Sequence, residues 1–141
     1  MTDNRFTVLI ADDEYWIRES LRAMIDWQGY GMRLLQMAGD GEEALAAVKA
    51  QCPDILITDI NMPFLSGLEL IRGALAASPD TVILVLSGYG DFEYVRQALV
   101  DGAMDYLLKP LTKTKLLETL NRAIERCLAR QTEKREAAQI Q

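Results

Sequence analysis

Short apolar runs alternate along this chain with stretches whose apolar residues recur every three or four positions. Phe6-Thr7-Val8-Leu9-Ile10-Ala11 is rich in β-branched residues and almost unbroken by polar ones, which predicts a strand buried on both faces. Ile17, Leu21, Met24 and Ile25 then keep helical spacing over about 14–26, with Asp13 as the expected N-cap. Gly29-Tyr30-Gly31 interrupts the pattern, and Leu34-Leu35-Gln36-Met37-Ala38 predicts a weaker second strand. Gly39-Asp40-Gly41 turns into a helix over 42–51, which Pro53 terminates. A third strand covers Ile55-Leu56-Ile57-Thr58 and ends on Asp59. After a loop holding Pro63 come a helix over about 67–77, a fourth strand over 81–86 and a helix over about 92–101. A fifth strand lies near Asp105-Tyr106-Leu107-Leu108, and the last helix begins after Pro110 and runs well past Arg126.

Five strand–helix units in this order predict an α/β domain: a parallel sheet with right-handed crossovers and five helices divided between its faces. From about Leu128 the apolar periodicity fades into a charged tail rich in Gln and Ala. The expected division is therefore a compact domain over 1–128 and a charged helical tail or linker over 129–141. Leu116, Leu117, Leu120, Ile124, Cys127 and Leu128 form the stripe that should seat the last helix on the sheet. Its final turn is too short a repeat to specify a coiled coil.

Composition narrows the chemistry. The chain has 141 residues, a net charge of −6 and no histidine. Without His, the commonest general base and every Ser-His or Cys-His pair are excluded. Two cysteines, Cys52 and Cys127, lack zinc spacing, and a domain of this size needs no disulfide. The acidic balance argues against this segment gripping a nucleic-acid backbone. No apolar run approaches the ~20 residues that cross a bilayer. Met1-Thr2-Asp3-Asn4-Arg5 lacks the shape of a signal peptide, so a cytoplasmic location is the expectation.

What remains is a set of residues at strand ends: Asp12-Asp13 after the first, Asp59 after the third, Ser87 after the fourth and Lys109 after the fifth. Ligands of open α/β sheets sit at this edge, where the strand order reverses. If strands one and three are neighbours, as in a flavodoxin-like order, three carboxylates share one crevice. Two unit charges ~4–5 Å apart repel by roughly 3–4 kcal/mol at an effective dielectric of 20. A hard cation relieves this, and Mg²⁺ suits best because it takes one or two carboxylates and keeps exchangeable waters. The backbone carbonyl of Asn61 could add an oxygen ligand. A phosphoryl group arriving here would meet the Lys109 ammonium, the Ser87 hydroxyl and nearby backbone groups. Asp59 is the natural nucleophile, and being already ionised it needs no base.

Each piece has a plainer alternative. Asp12-Asp13 alone would read as helix capping, Ser87 as a turn residue before Gly88, Lys109 as a solvated loop lysine and Tyr106 as an edge aromatic. Met24, Met37, Met62 and Met104 read as core filler. Gly88-Tyr89-Gly90 lacks the third glycine of a dinucleotide loop. The coincidence of the pieces at one sheet edge, and not any one of them, favours the pocket.

Four strings carry a family resemblance: Ile10-Ala11-Asp12-Asp13-Glu14, Asp59-Ile60-Asn61-Met62-Pro63 with Gly67, Leu86-Ser87-Gly88, and Leu108-Lys109-Pro110. Over about 6–128 the chain resembles the CheY-like receiver domain of two-component response regulators. That resemblance implies a flavodoxin-like, doubly wound sheet of order 2-1-3-4-5. It implies Asp59 as phosphoacceptor, Asp13 as a direct Mg²⁺ ligand, Asp12 as a ligand through water, and Asn61 as the carbonyl ligand. It implies Ser87 and Tyr106 as switch residues, Lys109 as the phosphate-binding lysine, and a cis peptide before Pro110. Ile25-Asp26-Trp27 and Ser87-Gly88-Tyr89-Gly90-Asp91-Phe92-Glu93-Tyr94 resemble regulators with an AraC-type helix-turn-helix output, hence transcription regulation.

The implied partners are a sensor histidine kinase and, on phosphorylation, a second copy of the chain. DNA would be reached only through a C-terminal output domain absent from this sequence, and the chain would be no enzyme beyond its own phosphorylation and dephosphorylation. An aspartate-nucleophile phosphatase would carry Asp where Asn61 stands, and a flavin carrier would carry a phosphate loop where Asp12-Asp13-Glu14 stands. A phosphorylation-independent interaction module is disfavoured because no pocket residue is missing. Asn61 and Tyr89 are expected to flank the pocket mouth.

Overall fold

The computed structural model describes residues 6–140. The expectations for Met1–Arg5, and for the last residue of the tail, lie outside the described residues. Five parallel strands form one sheet in the order β2-β1-β3-β4-β5, with β1 at Phe6–Ala11, β2 at Met32–Leu34, β3 at Ile55–Asp59, β4 at Val82–Ser87 and β5 at Asp105–Leu108. The helices are α1 (Tyr15–Met24), α2 (Gly41–Gln51), α3 (Gly67–Ala77), α4 (Phe92–Val100) and α5 (Lys113–Ile140). The helix number is the one expected from the alternation of patterns, and the strand order is the one the family resemblance implies.

The uninterrupted apolar character of β1, β3 and β4 has a direct structural cause. Alternate residues feed two separate cores. Val8, Ile10, Ile55, Ile57, Leu84 and Leu86 pack with Leu21 of α1 and Leu116 and Leu120 of α5. Leu9, Leu56, Ile83 and Val85 pack with Val48 of α2, Leu70 and Ile71 of α3 and Ala98 of α4. A strand covered on both sides has no face left for polar residues. The four methionines expected as filler are partly buried against these cores.

Three expectations need correction. The helix expected to run to Asp26 ends at Met24, because Ile25 and Trp27 turn into the core and the Trp27 indole N–H donates to the Leu21 carbonyl at 2.9 Å. That bond satisfies a carbonyl the helix end would otherwise leave open. The second strand lies at Met32–Leu34 rather than over 34–38. Phe6 pairs with Met32, and the stretch beyond is tied only intermittently, with the Leu35 and Ala38 N–H groups reaching Val8 and Ile10. Asp13 is not the N-cap of α1. Glu14 holds that place without a side-chain cap, and the neighbouring Asp12 takes the Glu14 N–H at 2.8 Å.

Other caps follow the sequence. Asp40 accepts from the Glu43 N–H, and Ser66 and Glu69 form a reciprocal capping box at the start of α3. Gly67 starts α3 hard against the end of β3, where a Cβ would lie 2.6 Å from the Asp59 carbonyl oxygen. Only glycine permits that approach. The start of α3 is thereby pinned beside Asp59. Beyond Leu128, α5 continues as one helix through a mostly exposed, charged stretch. Among the described residues no helix is long and apolar enough to cross a membrane.

Candidate phosphoacceptor site

β1 and β3 are hydrogen-bonded neighbours, so their C-terminal ends deliver Asp12, Asp13 and Asp59 to one place. Oxygens of the three carboxylates lie within 4.8 Å of one another. Asp12 and Asp59 are buried and Asp13 is exposed. One Asp12 oxygen accepts from the Glu14 N–H, and the Asp59 Oδ1 accepts from the Ile60 N–H at 2.8 Å. The other Asp12 oxygen, Oδ2, is buried and makes no hydrogen bond.

Lys109 reaches into this cluster from the end of β5. Its Nζ lies 3.4 Å from Asp12 Oδ2 and 3.5 Å from Asp59 Oδ1, with the side chain 22% exposed. These are ion-pair distances beyond good hydrogen-bond length. The Lys109 N–H donates to the Ser87 carbonyl at 2.8 Å, which fixes the lysine to the end of β4. The peptide between Lys109 and Pro110 is cis.

One ammonium does not balance three carboxylates. Burial pushes the Asp59 carboxyl up to about 6, the Asp12 charge pushes the same way, and Lys109 with the Ile60 and Asn61 N–H groups only partly offsets them. Burial likewise raises Asp12, against the opposing pull of the Glu14 N–H and Lys109. For Lys109 burial acts to lower the pKa, but the two aspartates outweigh it and the net shift is upward. The site is an anionic cluster with a deficit of positive charge.

The remaining candidates lie around it. Ser87 closes β4 and is 1% exposed. Asn61 is exposed, and its side-chain amide donates to Asp91 Oδ1 at 3.3 Å. Tyr106 stands apart from the carboxylates, 42% exposed on β5. It lines an apolar groove of about 510 Å³ that runs from Ser87 and Tyr89 past Phe92 and Leu99 of α4 to Leu108. The exposed Tyr89 also lies there, at the loop between β4 and α4.

Two participants had no assigned part in the sequence reading. Arg18, on the first turns of α1, donates to the Asp12 carbonyl at 2.7 Å and holds the loop after β1 in place. Asp91 accepts from both the Asn61 amide and, at 2.7 Å, the Gly88 N–H. Its place just before Phe92 signals a helix cap, but nothing in its spacing signals the bridge between two loops.

Comparison with known proteins is consistent with this arrangement. The profile of the response regulator receiver domain matches residues 8–121. The chain is 36% identical over 135 residues to the transcriptional regulatory protein YesN of Bacillus subtilis, covering 96% of this chain and 37% of YesN. It is 38% identical over 128 residues to the transcriptional regulatory protein HptR of Staphylococcus aureus, covering 91% of this chain and 50% of HptR. It thus spans half or less of the length of these two curated relatives. Among solved structures, the REC domain of AraT, a response regulator from Geobacillus stearothermophilus, superposes with a TM-score of 0.85 at 37% identity, covering 93% of this chain and 99% of that one. A two component transcriptional regulator AraC from Clostridium phytofermentans gives 0.82 at 32% identity, covering 89% and 98%.

Proposed function

This chain belongs to the response regulator receiver domain family, and on that footing we propose that it is a switch phosphorylated on Asp59. The observation that carries the proposal is the uncompensated cluster of Asp12, Asp13 and Asp59, with Lys109 reaching it from the end of β5. Three hard oxygen donors and a buried Asp12 oxygen without a hydrogen bond fit a Mg²⁺ ion. Asp12, Asp13, Asp59 and the Asn61 carbonyl would hold it, and bound there it supplies positive charge to the oxygens of an incoming phosphoryl group.

In the proposed reaction a carboxylate oxygen of Asp59 attacks phosphorus in a phosphohistidine presented by a sensor histidine kinase. The O–P bond forms as the P–N bond breaks, and the leaving imidazole takes up a proton. Asp59 is largely ionised above about pH 6, so no base is needed. The Lys109 ammonium neutralises the phosphoryl oxygens, and the Ser87 hydroxyl donates to one of them. The acyl phosphate adds charge and acceptors to a crevice already short of cations, so the loops around it favour a second packing.

Tyr106 and its groove lie next to Ser87 and would read that change as a second copy of the chain, or a release of output, at the α4–β5 face. Residues 1–128 form the receiver, and the exposed part of α5 beyond Leu128 serves as a linker toward an output domain such as the regulatory relatives' greater length accommodates. An AraC-type DNA-binding output and a cytoplasmic location complete the reading.

Incubation with Mg²⁺ and a small acyl-phosphate donor tests it by intact mass. One phosphoryl group is gained, and EDTA or Asp59→Asn abolishes the gain. A phosphorylated Asp59→Asn protein would overturn the assignment. Steady hydrolysis of generic phosphoesters would make the chain a phosphatase instead.

A further inference from the structure

The Asp91 carboxylate occupies an unusual position for a residue at a helix start. It stands at the N-cap of α4 with φ −86° and ψ 17°, yet no side chain caps that helix. An aspartate there ordinarily accepts from the N–H groups of the first turn. Here Oδ2 instead accepts from the Gly88 N–H at 2.7 Å, and Oδ1 accepts from the Asn61 side-chain amide at 3.3 Å. Gly88 follows Ser87, and Asn61 lies two residues beyond Asp59. One carboxylate therefore joins the loop after β3 to the loop after β4, across the mouth of the site.

We infer that Asp91 is a latch of the unphosphorylated state, holding with its carboxylate the Gly88 N–H that a phosphoryl group on Asp59 requires. This rests on the phosphoacceptor reading above and extends it to the residue that opposes the switch. The Gly88 N–H is among the backbone donors beside Ser87 suited to a phosphoryl oxygen, and a dianion competes for it better than a carboxylate. The same dianion repels Asp91 from its place beside Asn61. Once released, the carboxylate is free to cap the first turn of α4, where an anion is favoured. The latch thus has two sets of partners, and phosphorylation chooses between them. Release also frees the loop that forms one wall of the Tyr106 groove.

The test uses fluoroberyllate with Mg²⁺ as a phosphoryl analogue, on the wild-type chain and on Asp91→Ala and Asp91→Asn. Without analogue, the Gly88 amide exchanges slowly in wild type and faster in Asp91→Ala. Calorimetry should show the alanine variant binding fluoroberyllate about three- to tenfold more tightly, as expected when one competing charge-assisted bond is removed. Asn preserves shape and loses the charge, so it should lie between the two. In wild type, binding should slow exchange at the Glu93 and Tyr94 amides, and Asp91→Ala should lack that response. If both variants bind no more tightly than wild type, the latch is wrong while the phosphoacceptor reading stands. If wild type binds no fluoroberyllate, the phosphoacceptor reading fails and takes the latch with it.

Discussion

Asp54, just before β3, and Asp59, at the end of the same strand, sit at opposite edges of one sheet in very different surroundings. Asp54 Oδ2 accepts from the Thr7 N–H at 2.8 Å and from its hydroxyl at 3.3 Å, while the Asp54 N–H returns a bond to Thr7. Nearby Asp80 pairs with Lys134 of α5, whose hydrogen bond lowers its pKa, and Arg130 donates to the Asp80 carbonyl. At that edge each carboxylate has a partner of its own. At the other edge Asp12 and Asp59 share one ammonium with the Asp13 carboxylate close by, and a buried Asp12 oxygen has no hydrogen bond. Acidic residues that complete their own bonding hold a fold together. Acidic residues left in deficit are where a ligand or a covalent change has something to supply.

The contrast is sharpened most by removing the single cation at the crowded edge. Lys109→Met should slow phosphorylation from an acyl-phosphate donor by on the order of 10²-fold, as loss of one aimed positive donor commonly does. A phosphorylation time course checks it, and an unchanged rate would break the assignment of Lys109.

The next test is one of sign. In the metal-free protein Asp54→Ala should lower unfolding free energy by about 1–3 kcal/mol, since it strips two bonds from Thr7. Asp59→Asn should raise it by about 1–2 kcal/mol, because it relieves a buried charge held against its neighbours. Urea unfolding distinguishes them, and two destabilised variants would remove the difference between the edges.

A smaller effect follows from pH. The folded Asp59 pKa of about 6 lies above its ordinary 3.8, so the folded state binds more protons between those values. Its contribution to stability is present at low pH and is lost as pH rises through about 6, with Asp12 acting in the same direction. Metal-free protein should therefore gain thermal stability between pH 7 and 5 relative to Asp59→Asn, and Mg²⁺ should shrink that gain. A difference of zero across that window would count against the crowded site.

Much of this was legible in the residues because burial and chemistry coincide at strand ends. β1, β3 and β4 are covered on both faces, so their apolar runs stop abruptly where the sheet meets solvent, and Asp12, Asp59 and Ser87 mark the stops. The position of β2 is not legible, because an edge strand of Met32–Leu34 makes too few pairings to impress a pattern on its sequence. The spacing favours Asp13 as the cap of α1 because it does not say which of two adjacent aspartates turns inward. Asp91 stands just before the helix expected from about residue 92, but the direction of its side chain depends on Asn61, thirty residues away along the chain and adjacent only after folding.

On the reading proposed above, the crowded edge, and not the satisfied one, takes the phosphoryl group. Phosphorylation with Mg²⁺ and an acyl-phosphate donor, reductive trapping of the acyl phosphate and tandem mass spectrometry of the peptides measure this directly. The label is expected on Asp59 alone. A label on Asp54 or Asp80, or spread among several carboxylates, would contradict it.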